Sequence, residues 1–305
     1  MLIVDPSFEI LDELETVPLV ERIETCGRIC YKSEDKITSE SAIPFVKKII
    51  AHGHNSVTEM AALSLKFFCS KEQRQDFFNC QPKYLVIDEV DDHLLVTGTV
   101  RGFREFYLSN KENEVALSCI SFLSAKEPYL FEDLYDSGEV ESDIEITKLS
   151  LKDVDALTDE LFVKHRFLAV KFITNRAVTH ELVRHRPVSY LQESQRYCRY
   201  NQDKFGNQVS FIKPVFFDED TEEYKNWVKA MEEAEKLYLK LLETSSPQAA
   251  RTVLPNSCKT EIIAFCNLLE WKHIFSQRTT KHAEPSMREL MVPLMEEMQK
   301  RYSVI

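Results

Sequence analysis

Apolar residues recur at helical spacing through Leu19, Ile23, Cys26 and Cys30, and Thr16-Val17-Pro18 before them suits a first turn, so a helix is expected to begin there. Ile43 to Ala51 repeats the pattern with Val46, Ile49 and Ile50, and Gly53 suits a left-handed stop. Leu2 to Val4 reads as a short strand ended by Asp5-Pro6. Ala62 to Cys69 alternates, with Leu63, Leu65 and Phe67 on one side, as a strand does. Tyr84 to Ile87 and Leu94 to Thr97 flank Asp88-Glu89-Val90-Asp91-Asp92 and predict a hairpin with an acidic tip. Helical patterns follow at Val100 to Leu108 and Glu114 to Leu123. The acidic stretch Glu132 to Glu145, with Gly138 as its only glycine, reads as a loop or linker. Residues 70 to 160 carry no chemical constellation and are taken as an insertion between two strands of one sheet.

Phe167 to Thr174 resumes as a strand, with Leu168, Val170 and Phe172 alternating against Ala169 and Lys171. Asn175-Arg176 turns the chain into a helix from Ala177 to about Arg186, where Glu181 comes within reach of Arg184 and His185. Pro187 disfavours helix at Arg186 and ends it. The following SYLQESQRY reads as irregular backbone with outward side chains. Val209 to Ile212 is a further strand. Thr221 to Glu243 is the clearest helix, with Tyr224, Trp227, Met231, Ala234, Leu237 and Leu241 as its apolar stripe and a Glu232–Lys236 pair outside it. That stripe reads as core or subunit interface. Pro247 opens a helix that carries Arg251 and closes before Pro255. Thr260 to Gln277 reads as one helix, with Asn267, Trp271, Ile274 and Arg278 on one face. Asn267 and Arg278 would then share a pocket; the alternative is an ordinary helix end with a cation near its C-terminal dipole. A last helix spans Pro285 to Tyr302, bent at Pro293.

Length and composition narrow the classes. The 305 residues suffice for one large domain or two small ones, and 44% hydrophobic with 29% charged residues describes an ordinary globular chain. Six glycines, and no GxGxxG or GxxxxGK[ST], argue against the usual glycine-loop nucleotide sites. No apolar run approaches a membrane span, and Met1 to Pro6 is too short for a signal peptide, so no membrane partner and a cytoplasmic location are expected. A net charge of −12 speaks against a general nucleic-acid binder, whereas a small anion in a local basic pocket stays compatible. The eight cysteines, Cys26, Cys30, Cys69, Cys80, Cys119, Cys198, Cys258 and Cys266, form no CxxC pair and read as reduced thiols, mostly in the core.

Against that acidity, Glu181 to Tyr200 gathers Arg184, Arg186, Arg196, Arg199 and His185, interleaved with Ser189, Tyr190, Ser194 and Tyr197. A guanidinium presents a planar fork of donors suited to phosphate or to a carbonyl-bearing ring. The plainer alternative is a solvated basic turn paired to nearby glutamates. A second cluster is His52-Gly53-His54-Asn55-Ser56-Val57-Thr58-Glu59, where Ser56-x-x-Glu59 reads as a capping box whose helix start attracts anions. His52 and His54 lack an evident third ligand nearby, so no metal is expected.

Arg184-His185-Arg186, seven residues and Ser194 resemble the RHR-x7-S signature of the flavin-dependent thymidylate synthases. His52-Gly53-His54 with Ser56 and Glu59, Ala250-Arg251-Thr252-Val253-Leu254-Pro255, and the spacing of Asn267, Arg278 and His282 resemble further elements of that family. The resemblance covers roughly residues 15 to 69 and 165 to 300. It implies a single α/β catalytic domain with a central, mostly antiparallel sheet, flanking helices and an insertion at about 70 to 160, assembled as a homotetramer. The implied reaction is reductive methylation of dUMP to dTMP, with methylenetetrahydrofolate as carbon donor and FAD, reduced by NADPH, as hydride source. For FAD the resemblance implies Ser56, Arg184, His185, Arg186, Gln192, Asn267 and His273. For dUMP it implies Glu181, Arg184, Gln192, Glu193, Ser194, Gln195, Arg196, Arg251 and Arg278, with Arg278 stabilising the ionised uracil and no covalent nucleophile. His54 is expected near folate and flavin, and Cys198 as structural. Met60, Glu181 and His273 stand where the family often has histidine, glutamine and asparagine. Two other readings are a flavoprotein oxidoreductase of the same fold with another substrate, and a nucleic-acid-binding regulator using Ala177 to Tyr200.

Overall fold

The structure, a computed structural model, describes residues 1–135, 142–202 and 206–305. In the N-terminal half, β1 (Leu2–Val4), β2 (Ser7–Ile10), α1 (Leu19–Tyr31) and α2 (Ala42–Ala51) lead to β3 (Ala62–Phe68). Then come α3 (Lys71–Asn79), the hairpin β4 (Leu85–Val90) and β5 (His93–Thr99), α4 (Val100–Ser109), α5 (Glu114–Lys126), α6 (Pro128–Phe131) and β6 (Glu145–Lys148). The second half holds α7 (Leu151–Asp155), α8 (Asp159–His165), β7 (Phe167–Asn175), α9 (Arg176–Leu182), β8 (Ser189–Gln192) and β9 (Ser210–Ile212). It ends with α10 (Glu222–Leu242), α11 (Pro247–Ala250), β10 (Lys259–Asn267), α12 (Leu268–Arg278) and α13 (Pro285–Arg301).

The class is mixed α/β, but the strands form two antiparallel sheets rather than one central sheet: β4-β5-β3-β6 and β2-β7-β10-β8, beside a parallel β1-β9 pair. β3 and β7 therefore do not share a sheet, contrary to the sequence expectation. The intervening residues supply β5 and β6, which pair with β3, and β4, which pairs with β5 and completes that sheet. The expected loop at Glu132 to Glu145 begins in turns after α6 and ends at β6; residues 136–141, Gly138 among them, lie outside the described residues.

The largest correction concerns Thr260 to Gln277. Lys259–Asn267 is the strand β10, flanked on both sides by β7 and β8, and only Leu268–Arg278 is helical. Both faces of β10 are buried. Ile262, Ala264 and Cys266 pack with Leu168, Val170, Phe172 and Trp271, while Ile263 and Phe265 join the other core, with Ala169 and Leu191. A strand covered on both sides shows no polar alternation, so its apolar run mimics a buried helix. Two smaller differences lie nearby. α9 stops at Leu182, earlier than Pro187 requires, and Ser189–Gln192 of the expected irregular stretch is strand β8, in register with Ile262 to Phe265.

The long helix α10 lies where expected, capped by the Thr221 hydroxyl, but its buried seam runs through Met231, Tyr238 and Leu242. Leu237 and Leu241 of the predicted stripe are exposed, and Lys236 pairs with Glu233 rather than Glu232. All eight cysteines are free thiols; six are buried and Cys69 and Cys80 are half-buried. Among the described residues, no helix is long and apolar enough to cross a membrane.

Candidate active site

Two capped helices build the site. Asn175 ends β7 and accepts the Val178 N–H, starting α9; Asn267 ends β10 and accepts the Glu270 N–H at 2.9 Å, starting α12. Asn267 also donates to the Lys164 carbonyl at 2.8 Å, so it is a helix cap and not a member of a helical face. β7 and β10 are antiparallel, and Asn267 pairs with Phe167 at the start of β7. Eleven residues of α12 span about 16 Å, and the Trp271 indole N–H bonds the Leu168 carbonyl, tying the helix to the sheet. Arg278 is thereby carried to the end of α9.

There it meets Glu181 and His185. Arg278 Nη1 bonds Glu181 Oε2 at 2.6 Å, Nη2 bonds the Glu181 carbonyl at 3.1 Å, and Nε donates to His185 Nε2 at 3.1 Å. Three of the five guanidinium N–H groups are so engaged, which leaves two for a ligand. Glu181 thus pairs across the site with Arg278, not with Arg184 or His185 as predicted, because α9 unwinds one turn before them. Burial, then the charges of Arg278 and Arg184 and the neighbouring His273, press the His185 pKa down to about 4, so its ring is neutral at physiological pH.

The neutral ring has one tautomer compatible with that bond: Nε2 accepts from Arg278, so Nδ1 carries the proton. Nδ1 lies 3.7 Å from Glu270 Oε1, too far for a hydrogen bond. Glu270 Oε1 is buried without a partner, and burial raises the pKa of its carboxyl. His185, Glu270 and His273 each bring a ligand-type atom within 4.8 Å of the others. A metal there would have to displace either Arg278 from Nε2 or the proton from Nδ1, so His185 as arranged offers it no free lone pair.

Three grooves join end to end. One, of about 750 Å³, is lined by Arg184, His185, Arg186, Glu270, His273 and Arg278. Arg186 and Glu270 also line a second, of about 540 Å³, with Asn267, Tyr84, Glu59 and Arg101. Arg101 continues into a third, of about 520 Å³, with Tyr31, His54, Ser56, Gln192, Ser194 and Tyr197. The trough thus collects His54, Ser56, Glu59, Arg184, His185, Arg186, Gln192, Ser194, Asn267, His273 and Arg278.

Local structure explains several of these placements. Gly53, at φ +68°, ends α2 and turns His54 and Ser56 into the trough. The expected capping box is not formed: His54, not Ser56, occupies the cap position of a six-residue 3-10 helix, Asn55–Met60, without a side-chain bond, and Glu59 pairs with Arg101 instead. Gln192, on β8, donates to the hydroxyls of Thr179 and Thr260. Ser194 is held by its N–H on the Cys30 carbonyl at 3.0 Å.

Glu193, Gln195, Arg196 and Arg251 line none of the three grooves. Glu193 is buried and accepts from Tyr200 at 2.8 Å and Lys259 at 3.1 Å; Gln195 is buried against Cys258. Arg196 is exposed over the Tyr197 ring, and Arg251 sits on the turn after α11. Sequence reasoning missed Tyr84 and Arg101, for which a hairpin and a helix start offered no chemical signal. It also missed Glu270, where Asn267-x-x-Glu270 was a readable cap pattern once the strand end was correctly set.

Residues 157–302 match the family model described as thymidylate synthase complementing protein. This part of the chain is similar to the flavin-dependent thymidylate synthases. Among curated relatives, the flavin-dependent thymidylate synthase of Pyrococcus abyssi is 39% identical over 128 residues, covering 42% of this chain and 52% of the relative. That of Corynebacterium glutamicum is 30% identical over 141 residues, covering 41% and 54%. The chain therefore spans about half the length of the curated relatives it matches. Among solved structures, the UMP/dUMP methylase PolB of Streptomyces cacaoi, bound with 5-Br dUMP, aligns at a TM-score of 0.42 and 14% identity, over 100% of this chain and 94% of that one. The family match takes in both capped helices, and Ser56, Tyr84 and Arg101 lie outside it.

Proposed function

We propose that the chain is a flavin-dependent thymidylate synthase that reductively methylates dUMP to dTMP, with methylenetetrahydrofolate giving the carbon and NADPH reducing the flavin. The observation that carries this reading is the Arg278–Glu181–His185 constellation, flanked by exposed Arg184 and Arg186, within the part of the chain that the family model matches. The donor set fits a flavin: Glu270 Oε1 is a buried acceptor without a partner, which a ring N–H can satisfy, and two arginines are available to phosphate. In this reading Arg184, His185, Arg186, Gln192, Asn267, His273 and Ser56 hold FAD, which supplies the hydride when bound. Ser194, Gln192, Arg184 and Glu181 hold dUMP with the segment Glu193 to Arg196 and Arg251, and His54 lies near folate.

Arg278 is too weakly acidic to act as a base. Its role is to face the uracil edge and stabilise the anion left when N3 loses its proton, which polarises the ring without a covalent protein nucleophile. Neutral His185 accepts from Nε and Glu181 holds both Nη atoms, so the guanidinium is oriented before substrate arrives. Arg196 and Arg251, outside the trough, would reach a neighbouring site in a homotetramer. The chain would then be one catalytic domain, with residues 70 to 160 an addition that walls the trough through Tyr84 and Arg101.

Release of tritium from 5-labelled dUMP, assayed with methylenetetrahydrofolate, FAD and NADPH, tests the reading. Release that needs all four components is expected. Flavin-bound protein that releases none would leave the flavin site without this reaction, and protein that stays colourless with added FAD would remove the flavin reading altogether.

A further inference from the structure

A cavity of about 330 Å³ lies between the two sheets and shares only Phe167 with the trough. Leu19, Leu63, Phe167 and Phe265 form apolar parts of its lining, and Arg22, Arg166 and Lys148 are its cations. Two of these cations are already matched. Arg166 holds Glu15 through both Nη atoms at 2.7 Å and Asp155 through Nε at 2.8 Å, and Lys148 pairs with Glu127.

Arg22 is not matched. It is 7% exposed, with its guanidinium 4.6 Å over the Phe265 ring. Nε donates to the Met60 carbonyl at 2.6 Å and Nη1 to the Leu14 carbonyl at 3.1 Å, while Nη2 is buried without a hydrogen-bond partner. Among the described residues, no carboxylate lies within ion-pair distance of it. Burial, the largest cause, lowers its pKa against partial offsets from Cys26, Glu15 and Glu13. A cation in this position is costly, and an arginine serving only as a carbonyl brace would be packed around on all sides. Here an unsatisfied donor belongs to a side chain that lines a cavity of small-ligand size.

We propose that this cavity binds a small monocarboxylate with a compact apolar or aromatic body, its carboxylate paired with the Arg22 guanidinium and its body lying against Leu19, Leu63, Phe167 and Phe265. A single negative charge is specified because Arg166 and Lys148 already have their carboxylates. An apolar body is specified because the polar lining is largely paired within the protein: Ser64 with Thr97 at 2.7 Å, and His165 with Thr97 and Asp88.

Calorimetric titration of the full chain with benzoate, against uncharged benzamide of the same shape, is the test. One saturable benzoate site per chain is expected, with benzamide weaker by about tenfold or more, the scale of a lost charge-assisted bond. Arg22→Met, which keeps an unbranched side chain on Phe265, should lose benzoate binding by a similar factor. Leu149→Trp fills the cavity from a half-buried lining position without touching Arg22 and should do the same, which covers the case in which Arg22→Met does not fold. Four outcomes each overturn the proposal: no saturable site, equal affinity for benzamide, affinity unchanged in either folded variant, or preferential binding of inorganic phosphate. Loss of the benzoate site in an Arg184→Ala, Arg186→Ala double variant also overturns it, because the carboxylate then sits in the trough. The result does not depend on whether the protein makes dTMP.

Discussion

β5 and β10 end in the same way and lead to different chemistry. Thr99 accepts the Gly102 N–H to start α4, as Asn267 accepts the Glu270 N–H to start α12, and each helix carries an arginine to the trough. On α4, Arg101 is closed upon by Glu59 through Nη1 at 2.6 Å and Glu105 through Nε at 2.5 Å, so its carboxylates come from its own half of the chain. On α12, Arg278 has Glu181 and a neutral histidine, with Arg184 and Arg186 exposed beside it and Glu270 Oε1 unpartnered. At Arg101 the N-terminal half closes its charges internally; around Arg278 the C-terminal half leaves groups open, as a ligand site requires.

The largest effect expected of any single change is at Arg278. Arg278→Ala should abolish dTMP formation while flavin absorbance at saturating FAD persists, since Arg184, Arg186 and Asn267 remain. Normal turnover would sink the assigned role and move the comparison's weight to Arg101. Next come the cores beneath the two arginines. Trp271 is fully buried and bonds the Leu168 carbonyl, and Phe103 is buried under α4. Truncating either to alanine should cost about 3–5 kcal/mol of unfolding free energy in urea titrations. Trp271→Ala should also weaken FAD binding, and Phe103→Ala should weaken it less; equal losses would mean that the two halves position the site together. A smaller effect is expected at Ser194→Ala, about 1–3 kcal/mol in dUMP affinity by calorimetry, the scale of a missing hydrogen-bond partner. A variant with intact affinity and no turnover would instead make Ser194 a participant in the chemistry.

Turn and start signals, not burial alone, decided legibility. The β4–β5 hairpin was readable from its acidic tip, although β5 is buried from His93 to Gly98, and α1 from Pro18 ahead of its apolar spacing. β10 was not, because its two faces feed two cores and every residue from Ile262 to Cys266 is buried. That error displaced Asn267 from a cap to a helix face and hid Glu270. The cation cluster at Arg184 to Arg196 was legible as chemistry against the acidic chain. Its internal division was not: Arg184 and Arg186 enter the trough while Arg196 lies outside, because β8 intervenes between them and its pairing with β10 is a long-range fact. Arg101 was invisible for the same reason, since its meaning comes from Glu59, whose approach depends on the fold.

The finest of these tests concerns His185 alone. Its folded pKa is about 4 against an ordinary 6.5, so between these values the unfolded chain takes up a proton that the folded chain refuses. Stability from this group is therefore complete above about pH 6.5 and is lost progressively as the pH falls towards about 4. Thermal unfolding of His185→Gln should show a shallower decline across that window than the unsubstituted chain. In Arg278→Ala the loss of the neighbouring guanidinium should raise the His185 pKa, so its ring resonances, followed by NMR, should titrate at higher pH. If they do not move, burial alone sets the ring neutral, and the Arg278–His185 bond orients the guanidinium without tuning the histidine.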